Sequence, residues 1–170
     1  MRFEARERVR RHGRALFQCD ADLVLAGEYA GLLSGEASAE TLADICPGRI
    51  RCIGAMEQNA LIGLVAGAQT LVFPSFYEGF GLPPLEALAA GTPVLAADIP
   101  PIREVCAEHV RYFSADSEEQ LSQNLLAMLA VSSEERRARG EAGRAYARQF
   151  SWETAAGKTT NVLRRSLLPH

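Results

Sequence analysis

The stretch Phe73–Ala87, FPSFYEGFGLPPLEA, decides how this chain is read. It joins an apolar run, Thr70-Leu-Val-Phe73, to a segment with helical spacing from Pro83 to about Ala90. Pro83 and Pro84 favour a helix start, because a fixed φ and a missing amide hydrogen cost nothing in the first turn. Gly79 and Gly81 allow backbone conformations closed to other residues and let a ligand approach the main chain. Together these residues predict several unpaired N–H groups aimed outward at the positive end of a helix dipole, which suits a phosphate. Two acids, Glu78 in the loop and Glu86 about one turn into the helix, would repel such an anion. They make sense if each binds vicinal hydroxyls, as carboxylates do with ribose or a sugar ring. A nucleotide sugar has phosphates in its middle and hydroxyl-rich groups on either side. The bland alternative is that Glu86 complements the dipole and the glycines shape a turn, but it leaves the coincidence of two glycines, two prolines and two acids unexplained.

Outward from the loop, short apolar runs alternate with helical patterns. Asp22–Gly27, Arg49–Gly54, Thr70–Phe73 and Thr92–Ala97 read as strands, the first two ending in glycine. Helices are expected over Arg2 to about Phe17, Glu36 to about Ile45, Glu57–Ala68, Pro83 to about Ala90 and Pro101–Cys106. This alternation predicts an α/β fold, a Rossmann-like doubly wound parallel sheet covered on both faces. Such sheets bind ligands beyond the carboxyl ends of their strands, where Gly27, Gly54 and the quoted loop all fall. The last third reads as helical, over Ser117–Ala130, Ser133–Gln149 and a final helix from Trp152 capped by Ser151. Asp116-Ser-Glu-Glu119 and Ser132-Ser-Glu-Glu135 resemble capping boxes at two of these starts. No linker, repeat or low-complexity tract stands out, so residues 1–170 are expected to form a single domain.

The bulk numbers exclude several classes. The chain has 170 residues, 48% hydrophobic and 23% charged, with a net charge of -3. That is ordinary globular composition, with no overall electrostatic footprint for nucleic acid. Basic charge is concentrated at the start, where Arg2, Arg6, Arg8, Arg10, Arg11 and Arg14 outnumber Glu4 and Glu7, as on a solvated helix face or an acidic membrane surface. No signal-peptide pattern or spanning apolar run is seen, so a cytoplasmic protein is expected. Cys19, Cys46, Cys52 and Cys106 form no close pair of the zinc or redox kind and read as free thiols. No metal site is expected. His12, His109 and His170 stand in no motif.

The run from Phe73 to Val105, FPSFYEGFGLPPLEALAAGTPVLAADIPPIREV, resembles the signature of the family 4 retaining glycosyltransferases, the glycosyl transferases group 1. LIGLVAGAQTLVFPS before it and FSWETAA, Phe150–Ala156, are similar to the family's pattern too, and Glu78 and Glu86 stand as its E-x7-E pair. The resemblance covers nearly everything from Leu23 onward. It implies the C-terminal, nucleotide-sugar-binding half of a two-domain B-type fold. On that resemblance Glu78 is the catalytic-site acid, contacting donor-sugar hydroxyls with the backbone of Gly79, Phe80 and Gly81. The amides around Leu82 hold the diphosphate, Glu86 takes the ribose hydroxyls, and the loop at Ala55 and Met56 lies against the base. The implied reaction is metal-independent transfer of a hexose of the mannose or glucose type from a UDP- or GDP-sugar to a glycan or lipid acceptor. No cofactor is implied, and the inner face of the membrane is an alternative location through peripheral association of the parent.

The pattern departs from the family at the start of the chain. There the family has a strand, a glycine-bearing loop and an Arg and a Lys that clamp the diphosphate, whereas this chain begins with the helix after that loop. Its only lysine, Lys158, lies in the terminal helix. Hydrogen bonds to charged groups contribute about 1.5–3 kcal/mol each, so losing two weakens donor binding by roughly two to four powers of ten. The chain alone is therefore expected to bind donor weakly and transfer no sugar, needing an N-terminal domain or a partner chain. The competing expectation is a non-catalytic module that acts through a partner chain; a related epimerase or phosphorylase ranks below both.

Overall fold

The computed structural model describes residues 21–26 and 48–166. The expected helices at Arg2–Phe17 and Glu36–Ile45, with Gly27, Cys19, Cys46, His12 and His170, lie outside the described residues. Five strands run through the described chain: β1 Leu23–Ala26, β2 Ile50–Gly54, β3 Leu71–Phe73, β4 Val94–Ala97 and β5 Arg111–Phe113. Between and after them come α1 Gln58–Gly67, α2 Leu82–Ala90, α3 Pro100–Cys106, a 3-10 turn Ala107–His109, α4 Glu118–Leu129, α5 Ser133–Ala147 and α6 Trp152–Ser166.

All pairing is parallel. Leu23 stands opposite Ile50 in the β1–β2 ladder, while Leu71 and Arg111 flank Val94 and Leu95 in the β3–β4–β5 ladder. Among the described residues these are two separate ladders and not one continuous sheet. They share a core nonetheless, because Leu23 and Ile50 pack against the cluster built on Leu95, Ala97, Phe113, Leu121, Leu125 and Met128.

β4 shows why the fold is doubly wound. Its four residues are all buried, so a polar face never appears in VLAA. Leu95 and Ala97 enter the cluster beneath α4, while Val94 and Ala96 enter a second one formed by Leu85, Ala87 and Leu88 of α2, Ile102, Val105 and Cys106 of α3, and Ala147 of α5. Each fully buried leucine or isoleucine here, such as Leu88, Leu95 or Ile102, contributes about 1.5–3 kcal/mol relative to exposure.

α2 is the element that presents the site, and it is fastened at its far end by small residues. Gly91 closes it in the left-handed conformation, φ 80°, and donates its amide back into the last turn. The Arg144 guanidinium donates to the Ala89 and Ala90 carbonyls at 3.3 and 2.6 Å, satisfying groups that a helix end leaves unpaired. α5 can approach this close because its facing residues are glycines. A Cβ on Gly140 would stand 2.2 Å from the Gly91 oxygen, and one on Gly143 2.8 Å from Leu88 Cδ2.

Two details differ from expectation. β5 pairs with β4 although its three residues offered too short a pattern to mark a strand. The capping boxes are also only half made. Ser117, not Asp116, caps α4 by accepting from the Gln120 amide at 3.1 Å, and the Gln120 side chain turns back to accept from Ser114 N at 2.8 Å. Ser132 caps α5 by accepting from Glu135 N, while the Glu135 carboxylate takes Arg139 one turn on. Local ion pairing outcompetes the reciprocal contact there. Ser151 caps α6 as expected, accepting from Thr154 N at 3.0 Å.

Candidate functional site

β3 ends at Phe73, and the chain crosses from there to α2 through residues 74–81. The Ser75 hydroxyl donates to the Tyr77 carbonyl at 3.0 Å and shapes the first half of this loop. Gly81 ends it with φ 95° and ψ 47°, a left-handed conformation that disfavours any side chain. Its neighbour is equally restrictive, since a Cβ there would fall 2.3 Å from Ile102 Cδ1 on the fully buried face of α3.

Gly79 behaves differently from what the sequence suggests. It has no positive φ, and a Cβ built on it would meet nothing within 4 Å. The protein's own packing does not require a glycine at 79, so its open side is left to whatever approaches from outside.

The helix start also needs a correction. The first turn of α2 is Leu82-Pro83-Pro84, and the two prolines have no amide hydrogen to offer. The outward donors are therefore fewer within the helix and lie mostly in the loop before it. Gly79, Phe80, Gly81 and Leu82 form a run of four amides with no hydrogen-bond acceptor among the described residues. The first helical bond runs from Leu85 N to Gly81 O at 3.4 Å. Four consecutive free donors at the positive end of a nine-residue helix can hold an anion.

Glu78 is half-buried at the start of this run and Glu86 is exposed on α2, one turn beyond Leu82 and on its face. Neither carboxylate has an ion pair or hydrogen bond among the described residues. Met56 and Ala55 follow β2 in the other ladder, both exposed, and no hydrogen bond, ion pair or ring contact joins them to the loop. The structure thus gathers Glu78, Gly79, Phe80, Gly81, Leu82 and Glu86 at one strand-to-helix junction, while Ala55 and Met56 follow the neighbouring ladder's strand β2.

α3 forms the wall behind this junction and is held rigidly. Arg103 donates to both Asp98 oxygens, and its guanidinium lies 4.4 Å from the Tyr112 ring centre. The hydrogen bond from Arg103 keeps the Asp98 carboxyl below its usual pKa. The Tyr112 hydroxyl donates to the Ala107 carbonyl at 2.6 Å, and burial pushes its pKa up to about 12. Burial likewise raises the Cys106 thiol to about 11, which makes it an inert core residue and not a nucleophile. Sequence reasoning did not anticipate Ile102 as the residue that seats Gly81. Its signal was only its place in the run IPPIREV, since nothing local says which buried aliphatic will meet a distant glycine.

The sequence model of the glycosyl transferases group 1 matches residues 14–146. The chain belongs to that family. Among curated glycosyltransferases it is 37% identical over 115 residues to an O-antigen chain mannosyltransferase B of Escherichia coli, covering 68% of this chain and 30% of that protein. It is 33% identical over 143 residues to a D-inositol 3-phosphate glycosyltransferase of Xylanimonas cellulosilytica, covering 82% of this chain and 34% of the relative. The chain thus spans about a third of the length of these two relatives. Its fold superposes on sucrose-phosphate synthase of Thermosynechococcus elongatus with TM-score 0.78 and 24% identity, over 95% of this chain and 42% of the other. An Anabaena protein, HepE, solved with UDP and glucose, superposes with TM-score 0.75 and 21% identity over 92% of this chain and 44% of that one. The family's B-type fold and this α/β architecture therefore agree, the chain corresponding to about 40% of each solved glycosyltransferase. Among the described residues, no helix is long and apolar enough to cross a membrane.

Proposed function

We propose that the junction of β3 and α2 holds a nucleotide-sugar donor, and that the chain is the donor-binding part of a retaining hexosyltransferase. The observation that carries this reading is the run of four free amides from Gly79 to Leu82 flanked by two carboxylates, Glu78 and Glu86, with no partner among the described residues. The amides receive the diphosphate, and the Glu86 carboxylate accepts hydrogen bonds from the ribose hydroxyls. Glu78 accepts from donor-sugar hydroxyls and fixes the ring against the open side of Gly79, with Ala55 and Met56 on the base side. As the glycosidic bond breaks, negative charge grows on the leaving diphosphate. Prepositioned amides at a helix start stabilise that charge without reorganisation, so transfer proceeds without a metal ion. The O-antigen mannosyltransferase and the protein solved with UDP and glucose support a hexose donor of the mannose or glucose type. In this proposal the donor is a UDP- or GDP-sugar, and a glycan or lipid acceptor is read by the rest of a parent protein. In that reading the parent works at the cytoplasmic side, peripherally on the membrane where the acceptor is a lipid.

Calorimetric titration of the chain with UDP, GDP and their hexose conjugates tests this, with Glu86→Ala in parallel. One nucleotide is expected to bind, and the substitution to weaken it by about tenfold or more, the value of one hydrogen bond to a charged group. Silence for both nucleotides at millimolar concentration, or equal binding by the variant, refutes the assignment.

A further inference from the structure

Phe80 leads away from the loop into a stack of rings. Its ring meets Phe150 edge-on, centres 6.4 Å apart and planes at 80°. Phe150 meets Tyr146 at 5.7 Å and 60°, and Tyr146 lies stacked on His109 at 4.1 Å. The Tyr146 hydroxyl donates to the Val105 carbonyl at 2.9 Å, so the ladder is anchored on α3. Phe150 and Tyr146 both pack against the apolar cluster that includes Ile102 and Ala147.

The two ends of this ladder are held differently. One end is core. The other is the middle of the loop, where Glu78, Gly79 and Phe80 make no backbone hydrogen bond among the described residues. The Phe80 ring is 45% exposed, so its contact with Phe150 is a lateral tie and not deep burial. Phe150 is also the residue before Ser151, the cap of α6, and Trp152 follows with its indole 80% exposed. α6, which follows that joint, has no buried residue.

We propose that Phe150 is a positioning residue for the Glu78–Leu82 loop, and that the Phe80–Phe150–Tyr146 ladder makes the loop and the α5–α6 joint move as one unit. The positioning half stands on ring geometry alone, while the ligand-linked half rests on the donor-binding reading above. An edge-to-face pair changes an equilibrium by roughly 2- to 12-fold beyond its area. Loss of the Phe150 ring is therefore expected to weaken nucleotide binding by that factor without any contact to the nucleotide.

The first test needs no ligand. Backbone order parameters for Gly79, Phe80 and Gly81, near the rigid value of about 0.85 in the native chain, fall toward about 0.6 in Phe150→Leu. They stay high in Phe150→Tyr, which restores the ring. The β4 amides of Leu95 and Ala96 remain unchanged in both. Equal loop order in Phe150→Leu and the native chain overturns the positioning role, as does an equal loosening of β4. The second test titrates UDP and GDP while reading heat and the fluorescence of Trp152, the chain's only tryptophan. Both signals are expected to share one midpoint in the native chain, and Phe150→Leu to lose the fluorescence change. Heat without a fluorescence change in the native chain overturns the link to the joint. Absence of heat with either nucleotide sinks the donor-binding reading, and the order parameters still decide the positioning role.

Discussion

Replacing Gly81 by alanine perturbs the junction in two separable ways. At φ 95° a side chain enters the left-handed region, which costs about 1–2 kcal/mol for an L-residue. The new methyl also falls 2.3 Å from Ile102 Cδ1, and Ile102 is fully buried in the cluster that also holds Leu88, Val94 and Val105. Forcing extra volume into a packed core costs about 1–3 kcal/mol more. Gly81→Ala is therefore expected to lower the unfolding free energy by about 2–5 kcal/mol in urea titration with linear extrapolation. Ile102→Val removes the offending Cδ1 and alone costs about 0.5–1.5 kcal/mol. In the double variant the steric part is relieved and the backbone part stays, so the two effects fall short of additivity by about 1–3 kcal/mol. A Gly81→Ala chain within about 0.5 kcal/mol of the native one, or strict additivity with Ile102→Val, would refute the seating of the loop on α3. The same substitution at Gly79, where a Cβ meets nothing, should leave stability nearly unchanged and show its effect only in nucleotide binding.

The glycines on the helices separate along similar lines. Gly140→Ala drives a methyl onto the Gly91 backbone oxygen, 2.2 Å away, and is expected to cost about 3 kcal/mol in urea titration, the upper part of the usual overpacking range, because main chain cannot rotate aside. Gly157→Ala, in open space on α6, should instead raise helicity in circular dichroism and stabilise that helix by about 0.5–1 kcal/mol; a loss of helicity there would contradict the exposed setting. Alkaline pH attacks the wall behind the loop. Tyr112 and Cys106 titrate above their ordinary values of 10.0 and 9.0, at about 12 and about 11, so the unfolded chain releases these protons first. Stability is thus intact below about pH 9 and falls as pH rises toward 12. Tyr112→Phe should make that fall shallower in urea titrations at pH 8, 10 and 11.5, and an unchanged slope would count against burial as the cause. Alkylation followed by peptide mass spectrometry at pH 8 should leave Cys106 unmodified until denaturant unfolds the chain, since it is fully buried.

Much of this architecture is written in short-range signals. Four strands were legible because each is an apolar run closed by glycine, proline or a polar residue, and α2 because Pro83 and Pro84 announce its start. β5 was not, because Arg-Tyr-Phe is three residues long and becomes a strand only through the edge of β4. The split into two ladders is likewise a matter of pairing and not of pattern. At the site, residue types were readable but their division of labour was not. Gly79 and Gly81 look alike in sequence, yet one is demanded by a positive φ and Ile102 while the other is free. Nor could the sequence show that Phe80, two residues before a helix, would lean on a ring seventy positions later, because such contacts depend on how α5 crosses α2. That crossing is fixed by Gly91, Gly140 and Gly143, far from the loop itself.

The free groups at the junction make a final point about economy in the fold. Glu78 lies three residues before Gly81 and four before Leu82, yet its carboxylate makes no hydrogen bond among the described residues. An ordinary side-chain cap at position 81 would need the second or third helical amide, and those positions are Pro83 and Pro84. Acid and amides stand side by side unpaired, while prolines at 83 and 84 lower the number of amides that need satisfying and so make the open state less costly. Ser117, Ser132 and Ser151 cap α4, α5 and α6 from the side chain, whereas α1, α2 and α3 begin without such a cap. Of these three, α2 is the one that starts from a glycine in the left-handed conformation. A helix start kept open between two uncommitted carboxylates, on a backbone pinned from behind by Ile102 and from the side by Phe150, supports the reading of a receptor for a ligand that brings both anionic and hydroxyl groups.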